Sequence, residues 1–250
     1  MIISFFEEFP TKENLSKLKL ITWPTKLYLA ANSLKEFNNI KSKIKNKNIK
    51  EFIYWPILKK EEGYWISPFS KRKALKRIFN ELENNNTSVM IDSELPTTQN
   101  PLLYLTQSYK FFNNKRLIRN FIKNYKNIYT AEYYPQGKRK DKILSFLGLH
   151  FNPNKFNSKI IKMMYHSMHS FNKDLIIKEL KDGIKNYNEN FLIAYGTIST
   201  GIQKTEPILK LSQLKKDLEI AKQTGIKEVI IYRLEGLNKN YLRILKLHWT

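Results

Sequence analysis

One pattern runs through this 250-residue chain from end to end: short runs rich in Ile, Val, Tyr and Phe alternate with polar segments of helical spacing. The strand-like runs are IISFFEEF (2–9), KLYLAAN (26–32), EFIYWPIL (51–58), SVMIDSEL (88–95), IYTAEYYP (128–135), KIIKMMYHSM (159–168), FLIAYGTIST (191–200) and EVIIYRLEGL (228–237). Between and after them lie KENLSKL (12–18), SLKEFNNIKSKI (33–44), SKRKALKRIFNELEN (70–84), residues 102–125, GKRKDKILSFLG (137–148), and residues 172–187, 210–225 and 238–247. Parallel strands need crossover connections, usually helical, so eight alternations about thirty residues apart are what a closed parallel barrel requires. Gly225 follows LEIAKQT as a helix stop, because glycine enters the left-handed conformation at no steric cost. No Pro/Gly-rich linker divides the chain. The expectation is α/β, a single (β/α)8 TIM barrel over residues 1–250. An open doubly wound sheet would carry a glycine-rich phosphate loop after its first strand, and FFEEFPTKEN has none.

Composition removes several classes of function. The absence of cysteine excludes disulfides, thiolate zinc sites and a cysteine nucleophile. The first residues lack the basic region and small-residue cleavage site of a signal peptide, and no apolar stretch approaches the roughly 20 residues of a membrane span. A cytoplasmic protein without a membrane span is expected. The formal charge of +22 is spread along the chain, as ordinary solvated helix faces would be. Two clusters are denser, Lys71 to Arg77 and Lys138 to Lys142, but neither has the interleaved aromatics of a single-strand binding platform. Nucleic acid bound through this basic surface is the less favoured partner.

In such a barrel the chemistry sits at the carboxyl ends of the strands. Those ends bring Glu7 and Glu8, Asn32, Tyr54 and Trp55, and then Asp92 and Glu94. They continue with Glu132, Tyr133 and Tyr134, Tyr165 and His166, Tyr195 and Thr197, and finally Tyr232, Arg233 and Glu235. Carboxylates and aromatics suit a sugar: ring faces stack on aromatic faces, while one acid protonates a leaving oxygen and a second meets the positive charge at the anomeric centre. Asp92 and Glu94 are the sharpest pair. One residue apart in an extended strand, they point to the same side as Met90, and two like charges held together push at least one pKa upward. The expected catalytic residues are Glu94 and Asp92. The expected cleft residues are Glu7, Tyr54, Trp55, Glu132, Tyr165, His166, Tyr195, Tyr232, Arg233 and Glu235, with a carbohydrate as ligand and no cofactor or metal.

Two short motifs carry a family resemblance. IDSEL on strand four resembles the Asp-x-Glu of family-18 glycoside hydrolases, the chitinases and their relatives, and MMYHS on strand six resembles their Met-x-Tyr-Asp. The resemblance implies that Glu94 is the general acid, that Asp92 orients a substrate N-acetyl group which attacks the anomeric carbon, and that Tyr165 holds that group. The chain departs from the family pattern at Met90, where a further acid is expected, and at His166, where an aspartate is. The small-residue motif near strand three is absent, and Tyr232 or Arg233 stands in place of the last strand's tryptophan.

Two further readings compete. Glu132, His166 and Glu235 are of the types that hold a divalent cation, as in metal-dependent barrels acting on sugars or nucleic acid. Met90 and His166 suit a barrel that binds a glycan, or serves as a scaffold, without cleaving anything. Gly-x-Ser-x-Gly and phosphate-loop motifs are absent, and YGTISTG on strand seven lacks the glycine density of a phosphate site.

Overall fold

In the computed structural model, which describes residues 1–96, 100–134 and 137–249, eight strands close into a barrel in chain order. They are β1 (Ile2–Glu7), β2 (Thr25–Ala31), β3 (Ile49–Pro56), β4 (Val89–Asp92), β5 (Ile128–Glu132), β6 (Lys159–Met164), β7 (Phe191–Gly196) and β8 (Glu228–Tyr232). Every pairing is parallel, and β8 returns to β1 with Phe5 opposite Ile231. All strands therefore end at one rim, and the expected (β/α)8 barrel is the fold observed.

The helices are α1 (Lys12–Ser16), α2 (Leu34–Lys43), α3 (Arg72–Leu82), α4 (Leu103–Thr106), α5 (Phe111–Asn124), α6 (Lys138–Phe146), α7 (Pro153–Phe156), α8 (Lys173–Tyr187), α9 (Leu211–Thr224) and α10 (Lys239–His248). Local chemistry sets their ends. Ser33 caps α2 by accepting from the Glu36 amide, and Glu36 reaches back to accept from Asn32 N at 2.8 Å. α3 buries Ala74, Leu75, Ile78, Phe79 and Leu82, the single face that a 3.6-residue period allows. α9 stops at Gly225, at φ +88°.

Three segments differ from the sequence expectation. The helix expected over 12–18 is α1 followed by a 3-10 turn, Lys17–Leu20, and that expected over 102–125 breaks into α4, a 3-10 turn (Ser108–Lys110) and α5. The stretch GLHFNPNKF (148–156), which falls between the expected helix over 137–148 and the expected strand over 159–168, contains α7, started by the Asn152 side chain on Asn154 N and by Pro153 at the first helical position.

Strand alternation produces two cores. Phe5, Leu29, Tyr54, Val89, Ile91 and Tyr195 point outward and pack beneath the helices. Phe6, Tyr28, Trp55, Met90, Tyr129 and Met163 point inward and fill the barrel. The amino-terminal end of the interior is polar and internally paired. Lys26 Nζ lies 2.9 Å from Glu228 and 3.3 Å from Glu51, while Ser4 and Tyr28 donate to Glu228 at 2.8 and 3.1 Å. No helix among the described residues is long and apolar enough to cross a membrane.

Candidate active site

The cleft at the carboxyl rim follows from the phase of β4. Val89 and Ile91 belong to the outer core, so Met90, Asp92 and Glu94 face the lumen. The backbone that carries the two acids is pinned on both sides. Ile66 N donates to Asp92 O (3.0 Å), Ser93 N donates to Ala131 O (2.9 Å), and Leu95 N donates to the Tyr133 hydroxyl (3.1 Å). Asp92 is 4% exposed and shares a side-chain hydrogen bond with Glu94. Burial, the Glu94 charge and the Glu8 charge hold the Asp92 carboxyl well above its ordinary range. Burial, with Glu8 adding, pushes Glu94 up to about 7, and the hydrogen bond from Asp92 opposes the rise.

A third acid comes from the first strand. Glu8 shares the inward phase of Phe6 and is 2% exposed. Tyr64 Oη donates to Glu8 Oε1 at 2.6 Å, and Tyr232 Oη donates to Oε2. Burial raises the Glu8 pKa and these two hydroxyls oppose it. Trp55, Trp65, Tyr133, Tyr134, Tyr165 and Tyr232 supply an aromatic wall, with Tyr165 and Tyr232 rings 5.7 Å apart. The pocket encloses ≈ 160 Å³, room for one sugar ring at its base with any further rings on the rim. Three polar atoms of its walls are buried without a hydrogen-bond partner, Trp55 Nε1, Asp92 Oδ1 and Glu206 Oε2, although the indole still favours the charged form of Asp92.

Of the residues expected at the site, Asp92, Glu94, Trp55, Tyr165 and Tyr232 line this cleft. The others lie elsewhere, most of them one residue out of phase. Tyr54 and Tyr195 are in the outer core, Tyr54 against the Phe37 ring at 5.1 Å. Glu7 accepts from Arg233 Nη1 (3.1 Å), Phe9 N (2.9 Å) and Glu235 N (3.0 Å), and Arg233 Nη2 also meets Glu235. This cluster ties the end of β1 to the end of β8. Burial raises Glu7 to about 7 against the pull of Arg233. Glu132 sits behind β5, where it meets His150 Nδ1 (2.8 Å), Lys162 Nζ (3.2 Å) and Phe151 N (2.9 Å). His166 Nδ1 faces Asp217 of α9 at 3.0 Å. Glu132, His166 and Glu235 thus have separate partners, and no group of three His, Asp or Glu among the described residues is placed to hold a metal.

Also lining the cleft are Glu8, Tyr133 and Tyr134, which are expected at the strand ends but not among the cleft residues, and Trp65, His169 and Glu206. Phase would have found two of them, since Glu8 alternates with Phe6, and Tyr133 with Ala131. Trp65, His169 and Glu206 come from loops, where no periodicity marks orientation.

No protein-family model and no curated protein sequence matches the chain. Solved structures do. The fold is similar to the glycoside hydrolase domain of PgaB (BpsB) from Bordetella bronchiseptica, with TM-score 0.59 and 10% identity over 99% of this chain and 97% of that one. It is similar to a family 18 N-acetylglucosaminidase from Paenibacillus barengoltzii, with TM-score 0.51 and 9% identity over 99% of each. It is similar too to a class V chitinase from Nicotiana tobaccum in complex with NAG4, with TM-score 0.56 and 10% identity over 99% of this chain and 98% of that one. At such identities the likeness is one of architecture, and in architecture the chain resembles the barrels of family-18 chitinases and related glycoside hydrolases.

Proposed function

We propose that this barrel is a glycoside hydrolase in which Glu94 protonates the leaving glycosidic oxygen while Asp92, beside it, faces the positive charge that develops at the anomeric carbon. The observation that carries the reading is the hydrogen-bonded Asp92–Glu94 pair at the end of β4, Asp92 buried and Glu94 half-buried, in an aromatic cleft. A general acid works best with a pKa near the working pH, and Glu94 at about 7 has that property. The aromatic wall suits sugar rings, and barrels of similar fold act on glycans. A polyanion does not suit the cleft, whose described lining carries four acids and neither Lys nor Arg.

The test is mass spectrometry of products from mixed N-acetylated and plain oligosaccharides, incubated with wild type and Glu94→Gln, with and without a chelator. Cleavage by wild type alone, insensitive to chelator, is the expected result. Chelator-sensitive cleavage would overturn the acid–carboxylate reading. Met90 favours a second reading, since it places an apolar side chain in the cleft where the family pattern has an acid: a barrel that binds a glycan without cleaving it. Under that reading wild type and Glu94→Gln both bind oligosaccharide and neither cleaves it.

A further inference from the structure

Seven large apolar side chains are 60% or more exposed among the described residues, and six of them lie in two neighbouring segments: Leu102, Leu105, Tyr109 and Phe112, then Ile143 and Phe146. The first four recur at steps of three, four and three, one face of a helical period running from α4 into the start of α5. Contacts join the two segments. The Phe111 ring lies 5.2 Å from Phe112 and 6.4 Å from Phe146, and Lys115 Nζ donates to the Phe146 carbonyl at 2.6 Å. Ile143 shares the face of Phe146 one turn earlier. Topology puts this patch on the carboxyl rim: a helix that follows a parallel strand starts where the strand ends, so Phe112 at the head of α5 and the segment before it border the cleft mouth. Glu94, Tyr133 and Tyr134 of the cleft come from the same two connections.

Isolated apolar side chains are ordinary on a surface, but a contiguous exposed patch marks something that covers it. The charge around this one narrows what that is. The chain has no acid between Glu94 and Glu132, whereas Lys110, Lys115, Arg116, Arg119, Lys123 and Lys126 fall there. Lys138, Arg139 and Lys142 are exposed on α6, the helix of Ile143, and Lys110 Nζ lies 4.7 Å from the Tyr109 ring. The acids nearby are engaged: Glu132 is buried against Lys162, Asp141 meets Lys162 at 3.1 Å, and Glu179 accepts from the Gly137 amide. Leu, Phe and Tyr bordered by Lys and Arg are the composition of a surface that lies in the headgroup region of an anionic bilayer. Nucleic acid would use the cations and leave Leu102, Leu105 and Ile143 in water, and a second copy would bring the same positive charge to the same patch.

We propose that this part of the rim is a membrane-docking surface: the six apolar side chains enter the acyl boundary of a bilayer, and the surrounding lysines and arginines meet the phosphates of its anionic lipids. The inference goes beyond the glycan reading and stands without it. No helix need cross the bilayer, since an interfacial surface draws its affinity from buried apolar area and headgroup attraction together. Docked in this way, the β4–β5 side of the cleft mouth lies against the lipid.

The test is co-sedimentation of the full chain with vesicles of phosphatidylcholine alone and of phosphatidylcholine mixed with phosphatidylglycerol, at low and at near-physiological salt. Binding to the mixed vesicles should exceed binding to the neutral ones by about tenfold or more and weaken as salt rises. Leu105→Ser with Phe112→Ser, and separately Lys138→Gln with Arg139→Gln and Lys142→Gln, should each lower it by about tenfold or more. The control is Lys43→Gln with Lys45→Gln and Lys47→Gln, which removes three exposed lysines at the amino-terminal end of the barrel and should leave binding within about twofold. Thermal unfolding of each variant checks that the fold is intact. Vesicle binding that the control lowers as much as the α6 variant does would show attraction by net charge alone and overturn the assignment. So would absence of binding to either vesicle, tighter binding of a nucleic-acid oligomer that Leu105→Ser with Phe112→Ser leaves unchanged, or a dimer in sedimentation velocity that those two substitutions abolish.

Discussion

Replacing Glu94 by Gln should change how stability depends on pH, and the change is measurable without a substrate. The Glu94 carboxyl rises from its ordinary 4.5 to about 7 on folding. A group whose pKa is raised in the folded state contributes stability that is complete below its unfolded value and is lost as pH climbs through the folded one. The window therefore opens near pH 4.5 and closes somewhat above 7. A rise of that size corresponds to about 3 kcal/mol, at about 1.4 kcal/mol per pH unit. Glu94 is half-buried at the cleft mouth, so solvent screens part of the effect, leaving about 2 kcal/mol. Asp92 shifts the same way: its pKa is raised in part by the Glu94 charge, so removing that charge lets Asp92 ionise at lower cost. Urea unfolding of wild type and Glu94→Gln at roughly pH 5.5, 7 and 8.5 should show the wild type losing about 1 kcal/mol more across the series, the rest of the effect falling below pH 5.5. Parallel curves would refute the reasoning, because Glu94 would then be an ordinary solvated carboxylate.

Other changes probe the walls and the frame. Trp55→Phe removes a buried indole N–H that has no partner, so stability by urea unfolding should fall by less than about 1 kcal/mol while oligosaccharide affinity falls about tenfold. Lys162→Met leaves Glu132 buried against His150 without its ammonium, and should cost about 3 to 5 kcal/mol in the same assay. Gly236→Ala would place a Cβ 1.8 Å from the Ile198 carbonyl oxygen, a backbone atom that cannot step aside, and a loss above about 2 kcal/mol with a lower melting temperature is expected.

The barrel was legible because its signal repeats: each strand-like run overlaps one of the eight strands, and only the ends are off. The runs overshoot the carboxyl ends of the strands by up to five residues, and that overshoot is the rim. At the site, type was legible and orientation only in part. Tyr54 with Trp55, Tyr165 with His166, and Tyr232 with Arg233 are neighbours in sequence, and alternation lets one of each pair face inward. In all three the aromatic in phase with the inner core lines the cleft, while Tyr54, His166 and Arg233 serve the outer layer. Glu7 and Glu8 divide the same way, one tying β1 to β8 and the other facing the lumen. The break between α4 and α5 left no mark in the hydrophobic period, because Leu103 in α4 and Phe111, Ile118 and Ile122 in α5 are buried at positions that one continuous helical period would also bury.

The packed interior also determines how a long ligand approaches. Phe6, Tyr28 and Tyr129 meet ring to ring at 5.1 and 5.5 Å across the lumen, and the Lys26 network fills the end beneath them. The barrel is a cup and not a tube. A polymer cannot thread through it, so under the proposed reading a long chain lies across the rim and dips one residue to the acids, and the length of chain engaged is then set by the rim loops rather than by the barrel itself.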